Sequence, residues 1–162
     1  RKFQHKKFVF FPMQITTDIQ ILQNYKRKNI FLALKDAIQL AKKRGLPLYV
    51  KINPAENNPN LVNKHLKNLK AKYPYNFYII SDKSVYEIIN KCEFVITVNS
   101  TVGLESILNS KKVFFLGKSM YANFDKSKLA KYLEFYLVNF DYHNPKYIKN
   151  LIDRLNFYIN LN

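Results

Sequence analysis

Six short apolar runs punctuate the sequence: Phe8–Phe11, Leu48–Ile52, Phe77–Ile80, Phe94–Val98, Val113–Leu116 and Phe135–Val138. Most are apolar at consecutive positions instead of alternating ones. A strand with one wet face alternates, whereas a strand covered on both faces reads as an unbroken hydrophobic run. The runs therefore predict strands of a parallel sheet held between helices, and few other architectures accommodate them.

The intervening segments carry a helical period. Ile30, Leu34, Ala37, Ile38 and Ala41 form one stripe that ends at Gly45, with Lys42, Lys43 and Arg44 in the last turn where cations suit the helix dipole. Val62, Leu66, Leu69 and Tyr73 form a second, opened by Pro59 and closed before Pro74. Ser84-Val-Tyr-Glu87 is a capping box that starts a third helix through Ile88 and Ile89. A fourth is predicted from Thr101 to Leu108, and a last one from Asn144-Pro145 carries Ile148, Leu151, Ile152, Leu155 and Ile159 on one side. Residues 121–133 read as loop and short helix. Strands alternating with helices of this length need crossover connections. The predicted fold class is α/β: a doubly wound, Rossmann-like parallel sheet of about six strands with helices on both faces.

With 162 residues the chain is predicted to be one domain, 1–162, large enough for a continuous core but small for a two-domain enzyme. It starts at Arg1 and runs directly into a strand-like segment, so it reads as a fragment. A hydrophobic content of 48% excludes a disordered tail. No apolar run approaches the roughly 20 residues of a membrane helix. With no leader sequence visible and one cysteine, a reducing cytoplasm is the expected location. Cys92, beside a buried run, is expected to be a small core residue.

The formal charge is +16, yet only four of the 27 basic residues are Arg. Forked hydrogen bonding to bases and phosphates favours Arg, and the Lys residues are spread along the chain. The charge therefore predicts a solvated Lys-rich surface suited to anionic lipid or polysaccharide, with peripheral contact at the inner membrane, and no nucleic-acid partner.

Ligands of an open parallel sheet bind beyond the carboxyl ends of its strands. Those positions hold Pro12-Met13-Gln14 with Asp18, then Asn53-Pro54-Ala55-Glu56, Ser81-Asp82, Asn99-Ser100-Thr101-Val102-Gly103 and Gly117-Lys118. The fourth is the sharpest, because a strand turning directly into a helix aims unpaired N–H groups and a positive dipole end outward. In that reading Ser100 and Thr101 cradle an anion, Gly103 lets a phosphate or ribose come close, and Glu105 accepts ribose hydroxyls. Ser100 as a plain N-cap and Glu105 as a first-turn acid fit equally well. Lys51 and Asn53 supply a cation and an amide donor for a phosphate, although Asn53-Pro54 is also a good turn. GxxxxGK[ST] and GxGxxG are both missing, and so is any Asp-x-Asp pair for a metal-held nucleotide. His5, His65 and His143 follow no ligand spacing and read as solvated or turn positions.

The set Lys51-Ile-Asn-Pro54, Ser81-Asp-Lys-Ser84, Val98-Asn-Ser-Thr-Val-Gly-Leu-Glu-Ser106, Lys111-Lys-Val-Phe-Phe-Leu-Gly117 and Tyr121 resembles the nucleotide-binding half of bacterial capsular-polysaccharide transferases. That family includes the enzymes that move Kdo from CMP-Kdo in capsule and lipopolysaccharide assembly. The chain also looks like a distant relative of bacterial sialyltransferases. Phe10-Phe-Pro-Met-Gln14 with Asp18 is similar to the segment that opens this domain in the capsule family. One departure stands out: the family has His-Pro where this chain has Asn53-Pro54.

The resemblance implies the carboxyl-terminal half of a GT-B glycosyltransferase acting on a nucleotide-activated sugar, best a CMP-sugar such as CMP-Kdo, and a glycan acceptor. It implies Lys51, Asn53 and Pro54 at the donor phosphate, Ser100, Thr101 and Gly103 with the helix amides on the same phosphate, and Glu105 on the ribose. Gln14 and Asp18 are the catalytic candidates of this half, a second domain or partner half supplies the rest, and neither cofactor nor metal is expected. The alternatives are a transferase of a CDP-linked glycerol phosphate and a non-catalytic nucleotide- or polyanion-binding α/β module.

Overall fold

The computed structural model describes residues 3–136 together with Lys149, Ile152 and Asp153. Its elements run β1 (Val9–Pro12), α1 (Ile19–Asn24), α2 (Ile30–Lys43), β2 (Leu48–Lys51), α3 (Pro59–Lys72), β3 (Phe77–Ile79), α4 (Val85–Lys91), β4 (Phe94–Thr97), α5 (Thr101–Leu108), β5 (Lys112–Phe115) and α6 (Lys126–Lys131). The chain divides into two compact units, Arg1–Lys126 and Ser127–Asn162, and the sheet lies in the first.

All the strands pair in parallel, in the order β3-β2-β1-β4-β5. Burial explains the unbroken apolar runs. Every residue of the central strands β1 and β4 is buried, while the outer strands β3 and β5 carry exposed positions. Alternate residues of one strand serve two cores: Val9 and Phe11 join α2 and α3 residues such as Leu34, Ile38, Val62 and Leu66. Phe8 and Phe10 join Ile88, Ile89 and Cys92 of α4 and its C-cap. Helices thus cover both faces, and each fully buried Phe of this set stabilises the fold by about 1.5–3 kcal/mol.

Local signals set the helix ends. The Ser84–Glu87 capping box is formed in both directions. At the end of α2, Gly45 adopts φ +67°, its N–H donates to Lys42 O at 2.9 Å and the Leu46 N–H to Ala41 O at 3.1 Å. This is a Schellman closure, and the left-handed φ is why glycine stands there. Cys92 is buried as expected, and burial pushes its thiol up to about 11, which keeps it protonated and inert.

Two expectations need correction. Among the described residues the sheet has five strands. The sixth was placed at Phe135–Val138, but Tyr132–Tyr136 is a π-helical turn continuing α6, and 137–138 lie outside the described residues. Leu129, Leu133 and Tyr136 follow helical spacing, and a short apolar run alone does not separate strand from helix. The helix predicted from Asn144 also lies outside the described residues except at Lys149, Ile152 and Asp153. The histidines are the second correction. His65 is half-buried on α3 with its ring 4.1 Å from that of Phe31, and burial, then Lys35, lowers its pKa. His5 packs against Tyr78 and lies 3.1 Å from the Tyr49 hydroxyl, while His143 lies outside the described residues. No helix among the described residues is long and apolar enough to cross a membrane.

Candidate functional site

The strand order fixes where a crevice can open. Strands β1, β2 and β3 are laid down in one direction, and β4 then returns to the other side of β1, so the topology switches between β1 and β4. Helices leave these two strand ends on opposite faces, and the gap between them is the usual ligand position of such sheets.

Carboxamides fill the seam at that gap. Gln14, just after β1 and only 5% exposed, donates to Asn99 Oδ1 at 3.2 Å and to Asp18 Oδ2 at 2.9 Å, and accepts from the Asn99 N–H at 3.4 Å. A buried amide has to be satisfied, and these bonds make Gln14 a brace between β1 and β4. Asp18 caps α1 through the Gln20 N–H at 2.8 Å. Asn99 continues the chain to Gln20 Oε1 at 3.2 Å, which also accepts from Asn24 at 2.8 Å.

From Asn99 the chain turns at once into α5. Ser100 is its N-cap, and the hydroxyl accepts from the Val102 N–H at 3.2 Å. The Tyr121 hydroxyl clamps this turn by donating to the carbonyls of Asn99 and Ser100 at 2.8 and 2.5 Å. Burial pushes the Tyr121 phenol up, so it remains a donor at neutral pH. Thr101, exposed in the first position of α5, keeps a backbone N–H with no acceptor inside the helix. Over the seam opens a cavity of about 550 Å³ lined by Gln20, Asn24, Asn99, Lys118, Ser119, Met120 and Tyr121. Its lining is rich in neutral donors and acceptors, with one cation, Lys118, and no carboxylate.

Gly103 requires a correction. Its position was expected to admit a ligand, but a Cβ there would sit 3.0 Å from Thr97 Cγ2 and 3.1 Å from Phe115 Cε1. The missing side chain lets α5 lie directly on β4 and β5. Gly103 therefore serves helix-to-sheet packing and does not face the rim. Glu105 is exposed one turn into α5.

The second predicted group stands one strand away. Because β1 lies between β2 and β4, their ends are separated by roughly 10 Å of sheet. Lys51 donates to the Ser81 carbonyl at 3.1 Å, toward β3 and away from Ser100. The Asn53 side chain accepts from the Ala55 N–H at 2.9 Å, closing its own turn, and Pro54 is exposed. Glu56 ties this corner to β1: both its oxygens accept from Thr16, from the N–H and the hydroxyl, each at 2.8 Å. Burial pushes the Glu56 carboxyl up, but the N–H of Asn58 and the two Thr16 donors outweigh it and hold it below its ordinary value.

The structure thus links Gln14 and Asp18 to Asn99, the residue before the Ser100–Thr101 start of α5, and leaves Lys51, Asn53 and Pro54 as a separate wall. Gln20 and Asn24 were missed by sequence reasoning. Their signal is an i, i+4 amide pair on a helix too short to show a period, since α1 buries only Ile21.

Comparison with known proteins follows the same outline. The family model for capsule polysaccharide biosynthesis proteins matches residues 1–128. Protein FixF of Sinorhizobium fredii (strain NBRC 101917 / NGR234) is 28% identical over 115 residues, 70% of this chain and 27% of that protein. Among solved structures, KpsC of Thermosulfurimonas dismutans, a beta Kdo 2,7 transferase, matches with a TM-score of 0.57 at 21% identity, over 78% of this chain and 38% of that one. At that identity the match speaks for the fold, and the chain spans well under half of either relative.

Proposed function

The chain belongs to the capsule polysaccharide biosynthesis protein family, and we propose that it is the nucleotide-holding part of a glycosyltransferase in that process. The observation that carries the reading is the 550 Å³ cavity at the topological switch, which Asn99 lines immediately before the Ser100 cap of α5. A helix start with a free N–H, an N-cap hydroxyl and a nearby lysine suits a phosphate ester. The donor is a nucleotide-activated sugar, best a CMP-sugar such as CMP-Kdo, and the product is a capsule or lipopolysaccharide glycan.

In this reading Ser100, the Thr101 N–H and Lys118 hold the donor phosphate, Glu105 accepts from the ribose hydroxyls, and the amides of Gln20, Asn24 and Asn99 face the base. Lys51 and Asn53 form the far wall, with Asn53 a neutral donor where the family resemblance leads one to expect a cationic histidine. The acceptor hydroxyl attacks the sugar's anomeric carbon, the bond from that carbon to the phosphate oxygen breaks, and the nucleoside monophosphate leaves with the electron pair. Donors fixed in place before the reaction stabilise that leaving charge by several kcal/mol. In the same reading Asp18 takes the acceptor's proton, and Gln14 holds its orientation. A further lobe of the longer protein contributes the acceptor side.

The test is thermal stabilisation by CMP, CDP, UDP and short oligonucleotides at low and high salt. Stabilisation by CMP that survives salt and disappears in the Ser100→Ala/Glu105→Ala double variant supports the reading. Stabilisation by oligonucleotides alone, and only at low salt, assigns the positive charge to nucleic acid and removes it.

A further inference from the structure

The molecule exposes large apolar side chains, three of them on α1 and in the first turn of α3. Ile19 and Leu22 on α1 are 59% and 48% exposed, and Leu61 in the first turn of α3 is 48% exposed. The starts of these two helices are tied together by the Thr16–Glu56 bonds and by Asn57 donating to the Thr17 hydroxyl at 3.3 Å. The same region is rich in cations. Lys26 and Lys28 follow α1 immediately, Lys64 lies one turn after Leu61, and all three are exposed and take no part in an ion pair among the described residues.

Of the nearby carboxylates Asp36 is matched by Arg27, while Asp18 and Glu56 are held by neutral donors and keep their charge, so Lys26, Lys28 and Lys64 leave the region net positive. Asp18 accepts from Gln14 and Gln20, Glu56 from Thr16 and Asn58, and Asp36 from Tyr25 and Arg27. What remains is a set of projecting aliphatic chains beside an excess of positive charge. That combination fits an interface where apolar groups enter the acyl boundary while ammonium groups meet lipid phosphates.

We propose that Ile19, Leu22 and Leu61, with Lys26, Lys28 and Lys64, form a docking surface for an anionic lipid bilayer. The occupant follows from charge complementarity, since a positive and aliphatic patch is matched by a negatively charged surface with an apolar interior. The inference does not depend on which nucleotide the cavity holds. Its consequence is that α1, whose Gln20 and Asn24 line the cavity, brings the carboxyl rim of the sheet beside the membrane.

The experiment is co-sedimentation of the whole chain with vesicles of phosphatidylcholine alone or with phosphatidylglycerol added, at low and high salt. Binding is expected only to the anionic vesicles and is expected to weaken with salt. The Lys26→Gln/Lys28→Gln/Lys64→Gln variant should lose roughly hundredfold in partitioning, at about fivefold for each cation. A matched variant at the other end of the molecule, Lys42→Gln/Lys43→Gln/Lys91→Gln, should keep nearly all of it, and circular dichroism confirms that both are folded. Ile19→Ser/Leu22→Ser should also weaken binding. Equal loss in both lysine variants, equal binding to neutral vesicles, or no vesicle binding at all overturns the proposal. Self-association through Leu22 and Leu61 without vesicle binding overturns it too, and assigns the patch to a protein partner.

Discussion

The β2 corner and the β4 turn present similar residues at the same edge of one sheet, yet they are built for different work. After β2 the chain wanders through Ile52–Asn58 before α3 begins, and its polar groups are used up on the way: Lys51 on Ser81, Asn53 on Ala55, Glu56 on Thr16. After β4 only Val98–Ser100 intervene, so the start of α5 stays at the strand's end, where the cavity opens. The length of the connection, more than the residue types in it, decides whether a helix start becomes an anion cradle or a capped surface turn.

Several substitutions can break or sharpen this contrast. The largest effect is expected at Gly103→Val, where even the first added carbon meets Thr97 and Phe115; lifting α5 off the sheet should cost about 3 kcal/mol, read from the urea midpoint. Pro54→Val at the exposed β2 corner should stay within about 0.5 kcal/mol. Next is Gln14→Leu, which keeps the volume but strands the Asn99 groups and should cost about 2 kcal/mol. It should also weaken CMP binding although Gln14 does not line the cavity.

The two helix caps give a matched pair. Ser100→Ala and Asn58→Ala should each lose about 1 kcal/mol of stability, but only Ser100→Ala should lower the stabilisation gained from CMP. Equal CMP effects would erase the distinction between the two regions. Glu56 gives a pH signature to the β2 corner alone. Its carboxyl lies below its ordinary value in the fold, so its contribution is complete above the ordinary carboxylate range and is lost as pH falls through the lowered value. Glu56→Gln should therefore flatten the acid limb of the stability profile by about 1 kcal/mol. The smallest change concerns Asn53→His, which should leave CMP affinity constant as pH falls through the ordinary histidine range; tightening there would bring residue 53 to the phosphate.

Much of this was legible before any coordinates. Continuous apolar runs located β1 to β5 within a residue or so, because burial on both faces leaves no room for polar alternation. Caps written in the sequence, Ser84–Glu87 and Gly45 among them, fixed helix ends. The residues around the seam were less legible. A run of chain next to β4 says nothing about which strand lies beside it, so the bonds joining Gln14 to Asn99 across 85 positions had no local trace. Gly103 was misread for a related reason: a helical glycine has two sides, and sequence does not say which meets the sheet. At 135–136, the described part of the expected sixth strand, the chain is helical because its helical spacing competed with its strand-like composition.

The most direct test is an amide spectrum of the isotope-labelled chain titrated with CMP. The account predicts that the largest shifts fall on Asn99, Ser100, Thr101 and Val102, with smaller ones at Gln20 and Lys118 and little at Asn53–Asn58. Shifts concentrated at the 53–58 corner, or spread evenly over surface lysines, would contradict it.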